Sequence, residues 1–175
     1  MYRIITSLLL IGLVLGGSVA YAEDATTTLS DTDIATIRAN CVNVQASLNR
    51  IKESDALARI NIGQQYETIS TKLMAPFNSR AGLNRLDAVA LTQTTVEFNK
   101  KLDEFRSLYQ QYKETLTRAI ELKCTDQPVT FYDTLTLARS HRAAVREVVV
   151  TLGGLVKQYG TQVQALKDSL KELPS

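Results

Sequence analysis

Apolar residues recur along the chain at alternating intervals of three and four positions, the spacing that places them on one face of an α-helix. A first run follows Ser30, Asp31 and Asp33, which offer capping oxygens and early negative charge. Its apolar or small positions are Ile34, Ile37, Cys41, Val44, Leu48, Ile51, Ala58, Ile62, Tyr66, Ile69 and Leu73. Pro76 and the segment 78–84 are typical of a helix end. We therefore predict a first helix over about residues 31–76.

Two further runs have the same periodicity. The second begins near Leu86 and predicts a helix over about residues 86–123. The third follows the turn at residues 125–128, is the most regular, and predicts a helix over about residues 128–173. Each run exceeds three heptads and the period-two alternation of a strand is nearly absent, although residues 148–150 are locally β-prone. The sequence predicts an all-α protein.

The N-terminus has the pattern of a signal peptide. Arg3 precedes a mainly apolar stretch over residues 4–15, and Ala20-Tyr21-Ala22 places small residues at the two positions that a signal peptidase reads. We expect residues 1–22 to be removed, leaving a polar tether at residues 23–30 ahead of a bundle domain at residues 31–175. The alternative is an uncleaved anchor, because residues 4–22 are near the short end of the roughly 17–25 residues that span a bilayer.

Export changes how the two cysteines are interpreted, because thiols in an oxidising compartment most often pair. We predict a Cys41–Cys124 disulfide, with two free structural thiols as the alternative. The midpoint of the two positions falls on Gly82-Leu83, in the break between the first two helices. If that break is a hairpin turn, the cysteines lie at one level near the open end. The economical fold is an elongated up-down-up three-helix antiparallel bundle, coiled-coil-like, about 60–70 Å long.

Two charged residues occupy positions on the apolar face of their helices, here called the seam, and a pair between them would fix the register of the two helices. Arg142 lies 14 residues beyond Pro128 in the third helix, and Asp55 lies 14 residues beyond Cys41 in the first. We predict a partly buried Asp55–Arg142 ion pair, whose loss of one partner should cost several kcal/mol, roughly 3–5. The alternative is two side chains that tilt separately toward solvent.

A basic stripe on the third helix is the best candidate for a contact site. His141, the single histidine, is flanked by arginines 139, 142 and 146 at helical spacing. Arg139, His141 and Arg146 could contact an anion, an acidic lipid or an acidic partner. The structural alternative is a charged helix face whose side chains pair with carboxylates on neighbouring helices.

Catalytic, cofactor and metal chemistry find little support in the sequence. Zinc sites take closely spaced Cys, His and carboxylate ligands, whereas here the cysteines are expected to pair and His141 is alone. No GxSxG, HExxH or phosphate-cradling glycine loop follows the leader. We expect no enzyme, no cofactor, no metal site and no catalytic residue.

Charge argues against nucleic acid as a partner. The formal charge of +2 becomes +1 when a leader containing Arg3 is removed, because 19 basic residues then face 18 acidic ones. A nearly neutral chain offers no electrostatic footprint for a polyanion.

The general format of three heptad segments resembles spectrin-type three-helix modules and small periplasmic helical chaperones, and the resemblance is one of shape. The LTxxQ signature of those chaperones is not reproduced, because Gln93 directly follows Leu91-Thr92. We expect an exported, non-enzymatic interaction or scaffold protein, located in the periplasm, at the cell surface or secreted. Its partner would be an unknown protein or a second copy. The alternative is a membrane-associated protein, held by an uncleaved leader or an amphipathic face.

Overall fold

The computed structural model describes residues 29–171, which form helices and no strand. The elements are α1 (Asp31–Thr68), a π-helical segment (Ile69–Met74), α2 (Ala75–Leu83), α3 (Val89–Glu121) and α4 (Pro128–Lys171). The all-α prediction is confirmed. The predicted leader, the tether up to residue 28 and residues 172–175 lie outside the described part of the chain.

The start of α1 is fixed by a reciprocal cap, as the polar cluster at residues 30–33 indicates. The backbone N–H of Asp33 donates to Ser30 Oγ at 3.2 Å, and the backbone N–H of Ser30 donates to Asp33 Oδ2 at 3.0 Å. The Ser30 hydroxyl, which donates to Asp33 Oδ2 at 2.6 Å, and then the Ser30 backbone N–H lower the pKa of Asp33. The charged carboxylate of Asp33 therefore stabilises the first turn of α1.

The predicted end of the first helix at residue 76 is wrong. The π-helical segment follows α1 directly, Pro76 lies in the first turn of α2, and helical structure continues to Leu83. A proline is tolerated there because the first turn of a helix does not need its N–H. The wider π turn also shifts the phase, so Leu73, a predicted seam residue, is 59% exposed while Met74 is 1% exposed.

Helix α2 ends in a Schellman motif that requires an unusual backbone conformation. The N–H of Leu86 donates to Ala81 O at 2.9 Å, and the N–H of Arg85 donates to Gly82 O at 3.0 Å. Arg85 has φ 57°, the left-handed region that glycine adopts with least strain. The reversal into α3 therefore rests on a strained arginine just after the predicted glycine-containing break.

Helices α3 and α4 form the best-packed pair, and they run in opposite directions. Thr94 meets Gln162 at 3.0 Å near one end, and Thr115 meets His141 at 3.1 Å toward the other. Eleven residues of α3 are buried, whereas α1 buries only Cys41 and Leu48. Helix α3 therefore contributes more buried residues than any other described element.

The two ends of α1 are attached more firmly than its middle. At one end the Cys41–Cys124 disulfide, with a Cα–Cα distance of 5.6 Å, joins α1 to the α3–α4 connection. Gln45 reinforces it by donating to the carbonyl oxygens of Ile120 and Leu122, each at 2.8 Å. These contacts satisfy carbonyl groups that the end of α3 leaves unpaired.

At the other end, the π-helical segment and α2 join α3 and α4 through a buried polar network. Tyr159 donates to Asn78 Oδ1 at 2.8 Å, and Asn78 Nδ2 donates to Thr95 Oγ1 at 2.8 Å. Ser70, which is 6% exposed, donates to Asn99. Because each buried polar group has a specific partner, the network favours a single register at this end.

None of the described helices combines the length and the hydrophobicity that a membrane crossing requires.

Candidate functional site

An open groove separates the middle of α1 from α4, with α3 as its floor. Its volume is about 580 Å³, within the range of about 300–1,000 Å³ that small-molecule sites occupy. The groove is lined by Asp55, Ala58, Arg59, Ile62, Phe105, Tyr109, Tyr112, Arg139, Arg142, Ala143, Val145, Arg146 and Val149. Four arginines and one aspartate give this lining a formal charge of +3. It is therefore a cationic groove in a chain that is nearly neutral.

Two contacts bridge α1 to α4 along the groove. Asp55 pairs with Arg142, and Tyr66 donates a hydrogen bond to the carbonyl oxygen of Val149 at 3.2 Å. The bridges lie in the same order along both helices, so α1 and α4 run in the same direction through this region. They are 11 residues apart on α1 and seven on α4, or roughly 10–16 Å at 1.5 Å per residue.

The first bridge is a three-membered cluster. Arg142 donates from Nε and Nη2 to the two carboxylate oxygens of Asp55, each at 2.9 Å. Tyr112 donates its hydroxyl hydrogen to Asp55 Oδ2 at 2.6 Å. The Asp55 side chain is 18% exposed and that of Arg142 is 57% exposed. The structure thus brings the two predicted partners together, with only the aspartate largely shielded from water.

The cluster shifts the titration of its members. Burial first, and then the hydrogen bond to Asp55, raise the pKa of Tyr112 well above its usual range. The hydrogen bonds that Arg142 donates to Asp55 raise the pKa of Arg142 as well. Arg142 is therefore charged at every pH at which the fold persists, and Tyr112 stays neutral far into the alkaline range.

The other arginines of the groove have no carboxylate partner within 4.0 Å among residues 29–171. Arg59 instead lies over the ring of Tyr109, with its Cζ 5.2 Å from the ring centroid. Arg139 and Arg146 line the wall that α4 contributes. Because Asp55 is already engaged by Arg142, these three guanidinium groups retain their full capacity to donate to an external anion.

The basic stripe predicted on the third helix is divided by the structure. Arg139 and Arg146 line the groove, but His141 lies outside it, with Nδ1 3.1 Å from the hydroxyl of Thr115 on α3. His141 is half-buried in that position. The histidine thus contributes to the α3–α4 contact and is not brought together with the arginines.

The groove residues that sequence reasoning missed are Arg59, Tyr109 and Tyr112. Arg59 follows Asp55 by four positions, which places both on one face of α1. The tyrosines occupy regular seam positions of α3, where pattern alone does not distinguish a core ring from one that borders an opening. The spacing of Arg59 was therefore the one available signal.

Between residues 29 and 171, no group of three or more His, Cys, Asp and Glu side chains is placed to hold a metal ion. The chemistry that the groove does provide is hydrogen-bond donation and positive charge above an apolar floor. That combination is suited to binding an anion that carries an apolar part.

Comparison of the chain with protein-family models, with curated proteins and with solved structures found no match.

Proposed function

We propose that this chain is an exported, non-enzymatic binding protein of the cell envelope or extracellular space. Its contact surface is the arginine-lined groove between α1 and α4. The proposal is supported by the leader-like N-terminus, by a disulfide that suits an oxidising compartment, and by the cationic lining of the groove. Periplasmic, surface-attached and secreted locations are all compatible with these features.

The architecture that goes with this proposal is an up-down-up three-helix antiparallel bundle. The opposite directions of α3 and α4 support it, as do the two bridges that align α1 with α4. In this arrangement the disulfide and the polar network hold the ends of α1, and the middle is left to border a groove. The fold thereby provides a rigid frame around a binding surface.

The observation that carries the proposal is the pair Arg139 and Arg146. Both guanidinium groups line one groove, and neither has a carboxylate within 4.0 Å among the described residues. Among the described arginines only Arg106 and Arg142 pair with a carboxylate, so what distinguishes Arg139 and Arg146 is that they share one groove with Arg59 and Arg142. A cluster of cations around one opening supports an anionic contact from outside.

Cross-linked capture from the native envelope tests the proposal. The wild-type chain, expressed with its own N-terminal sequence, would be compared with Arg139→Glu/Arg146→Glu. The matched control is Lys157→Glu/Lys167→Glu, which makes the same charge change at exposed positions of α4 outside the groove. We expect a bound component that the control retains and the groove variant loses. Equal capture by both variants would show that the groove is not the contact surface.

The processing of the N-terminus separates export from membrane retention. Mass spectrometry of the mature protein should find Glu23 as its first residue. A chain that keeps residues 1–22 and sediments with membranes would replace this proposal by the membrane-associated alternative.

A further inference from the structure

We propose that the ligand of the groove is a single-chain amphiphile with an anionic head group and an apolar chain of roughly four to eight carbons. This inference rests on the proposed function, because it names the chemical class that the arginine-lined groove binds. It assigns the head to the arginines and the chain to the apolar floor.

The head-group site is formed by Arg59 and Arg146. Each lies four residues beyond a member of the Asp55–Arg142 pair, so the two arginines stand at one level on opposite walls of the groove. The ring of Tyr109 supports the guanidinium of Arg59 at 5.2 Å. Two guanidinium groups facing one space match the oxygens of a carboxylate, phosphate or sulfate group, to which arginine donates in pairs.

The chain site lies between that level and the Tyr66 bridge. Its walls and floor are apolar and are formed by Ile62, Phe105, Val145 and Val149. Phe105 is 2% exposed, so the floor is part of the protein core and does not belong to a mobile surface. Covering these side chains with an acyl chain would remove apolar surface from water, which is the main driving force for binding such a tail.

The head-group level and the Tyr66 bridge set the length of the chain. They are seven residues apart on α1, from Arg59 to Tyr66, and three residues apart on α4, from Arg146 to Val149, which corresponds to roughly 5–10 Å of helical rise. A carbon–carbon bond of about 1.5 Å at a near-tetrahedral angle advances an extended chain by about 1.25 Å. The space therefore accommodates roughly four to eight carbons before the chain meets the Tyr66–Val149 hydrogen bond.

The bridges also favour an amphiphile over an acidic helical peptide. A helix with its side chains is about 10–12 Å across. To lie between α1 and α4 it would have to displace both the Asp55–Arg142 pair and the Tyr66–Val149 hydrogen bond. A single extended chain fits between the bridges and leaves both intact.

Isothermal titration of the oxidised, processed protein with hexanoate tests the inference. Acetate supplies the head without the tail, and hexyltrimethylammonium supplies the tail with a cationic head. We expect hexanoate to bind at least about tenfold more tightly than either, a difference of about 1.4 kcal/mol. Dodecanoate, kept below the concentration at which it forms micelles, should bind more weakly than hexanoate, because the Tyr66 bridge limits the length. Affinity should fall as salt is added.

Charge reversal locates the site. Arg59→Glu/Arg146→Glu should weaken hexanoate binding by about tenfold or more, while Lys157→Glu/Lys167→Glu should leave it within about twofold. If the glutamates unfold the bundle, as circular dichroism would reveal, Arg59→Gln/Arg146→Gln removes the charge without adding repulsion and is expected to give the same direction of change.

Three results would overturn the inference. Acetate binding as tightly as hexanoate would leave a simple anion site, and equal binding of hexyltrimethylammonium would leave a non-selective apolar surface. If hexanoate does not bind but native capture still depends on Arg139 and Arg146, the groove serves an acidic protein partner, and the proposed function stands without this ligand class. If neither hexanoate binding nor capture depends on the arginines, both proposals fail.

Discussion

Asp55 is held by both Tyr112 and Arg142, and the different exposure of these two partners gives a sharp expectation for its energetics. The sequence predicts Arg142 as the partner of Asp55. The structure adds the hydroxyl of Tyr112, which donates to Asp55 Oδ2 at 2.6 Å. Three single substitutions, Asp55→Ala, Tyr112→Phe and Arg142→Ala, and the two doubles that contain Asp55→Ala separate the two contributions.

The magnitudes follow from exposure. Tyr112 is 4% exposed, and a hydrogen bond from such a group to a charged acceptor contributes about 1.5–3 kcal/mol. The Arg142 side chain is 57% exposed, so water screens its ion pair to about 0.5–1 kcal/mol. We therefore expect the Asp55–Tyr112 coupling to exceed the Asp55–Arg142 coupling by about 1–2 kcal/mol. Loss of Arg142 alone should cost less than the several kcal/mol that its seam position suggested.

The assay is urea unfolding of the six oxidised proteins at neutral pH, followed by far-ultraviolet circular dichroism. Each coupling energy is the amount by which the double variant departs from the sum of its two single variants. Constant m-values would show that the substitutions act on stability and leave the extent of unfolding unchanged.

Two outcomes would refute this reasoning. Strictly additive effects of Asp55→Ala and Tyr112→Phe would mean that the hydroxyl contact contributes nothing. A coupling to Arg142 as large as the coupling to Tyr112 would mean that exposure does not weaken the ion pair as argued. A variant whose urea unfolding curve loses cooperativity would show a changed m-value, and such a variant does not fold comparably to the wild type.

Four further outcomes follow from the fold. Replacing Cys41 and Cys124 by serine should lower the free energy of unfolding by up to about 4–5 kcal/mol, because the disulfide joins positions 83 residues apart. The reduced wild-type protein should show the same loss of stability as the serine variant. A loss below about 1 kcal/mol would contradict this estimate. Arg85→Gly should raise stability by about 1 kcal/mol by relieving φ 57°, so a decrease in the urea midpoint would count against that conformation. Gly154→Ala should add about 0.5–1 kcal/mol, because a Cβ there meets nothing within 4 Å, and a destabilised variant would indicate contacts at that position. The raised pKa of Tyr112 means that its neutral form is favoured in the fold, so this contribution is complete below about pH 10 and is lost as pH rises above it. Urea midpoints should therefore fall less steeply in alkali for Tyr112→Phe, and equal slopes would contradict the assignment.

The helical class was readable from the sequence because alternating three- and four-residue spacing has one simple structural solution. The starts of α1 and α4 were also accessible, since Ser30 with Asp33 and the turn before Pro128 are local signals. The helix end predicted at Pro76 was wrong because the effect of a proline depends on the turn that precedes it. A proline interrupts a regular helix but is tolerated directly after a π turn, and no local pattern indicated that turn.

The buried face of α4 shows a similar limit. The three- and four-residue spacing of the third run includes Val149, Leu152 and Val156, yet Val149 is half-buried beside the groove. Val148 and Leu155, which lie off that spacing, are 4% and 5% exposed. A helix that packs on two neighbours buries a broad stripe, and heptad spacing marks only its centre. Which part of the stripe is covered depends on how closely each neighbour approaches.

The sequence by itself determined the helices, the pairing partner of each cysteine and the charged positions along the seams, because these depend on local periodicity and on which residues are available. Only the tertiary structure decided that α1 is held at its two ends, that Tyr112 anchors Asp55, and that Arg59 and Arg146 stand across one opening while His141 faces α3. These features depend on the distances between helices, which are set by the sum of many packing contacts and are encoded at no single position.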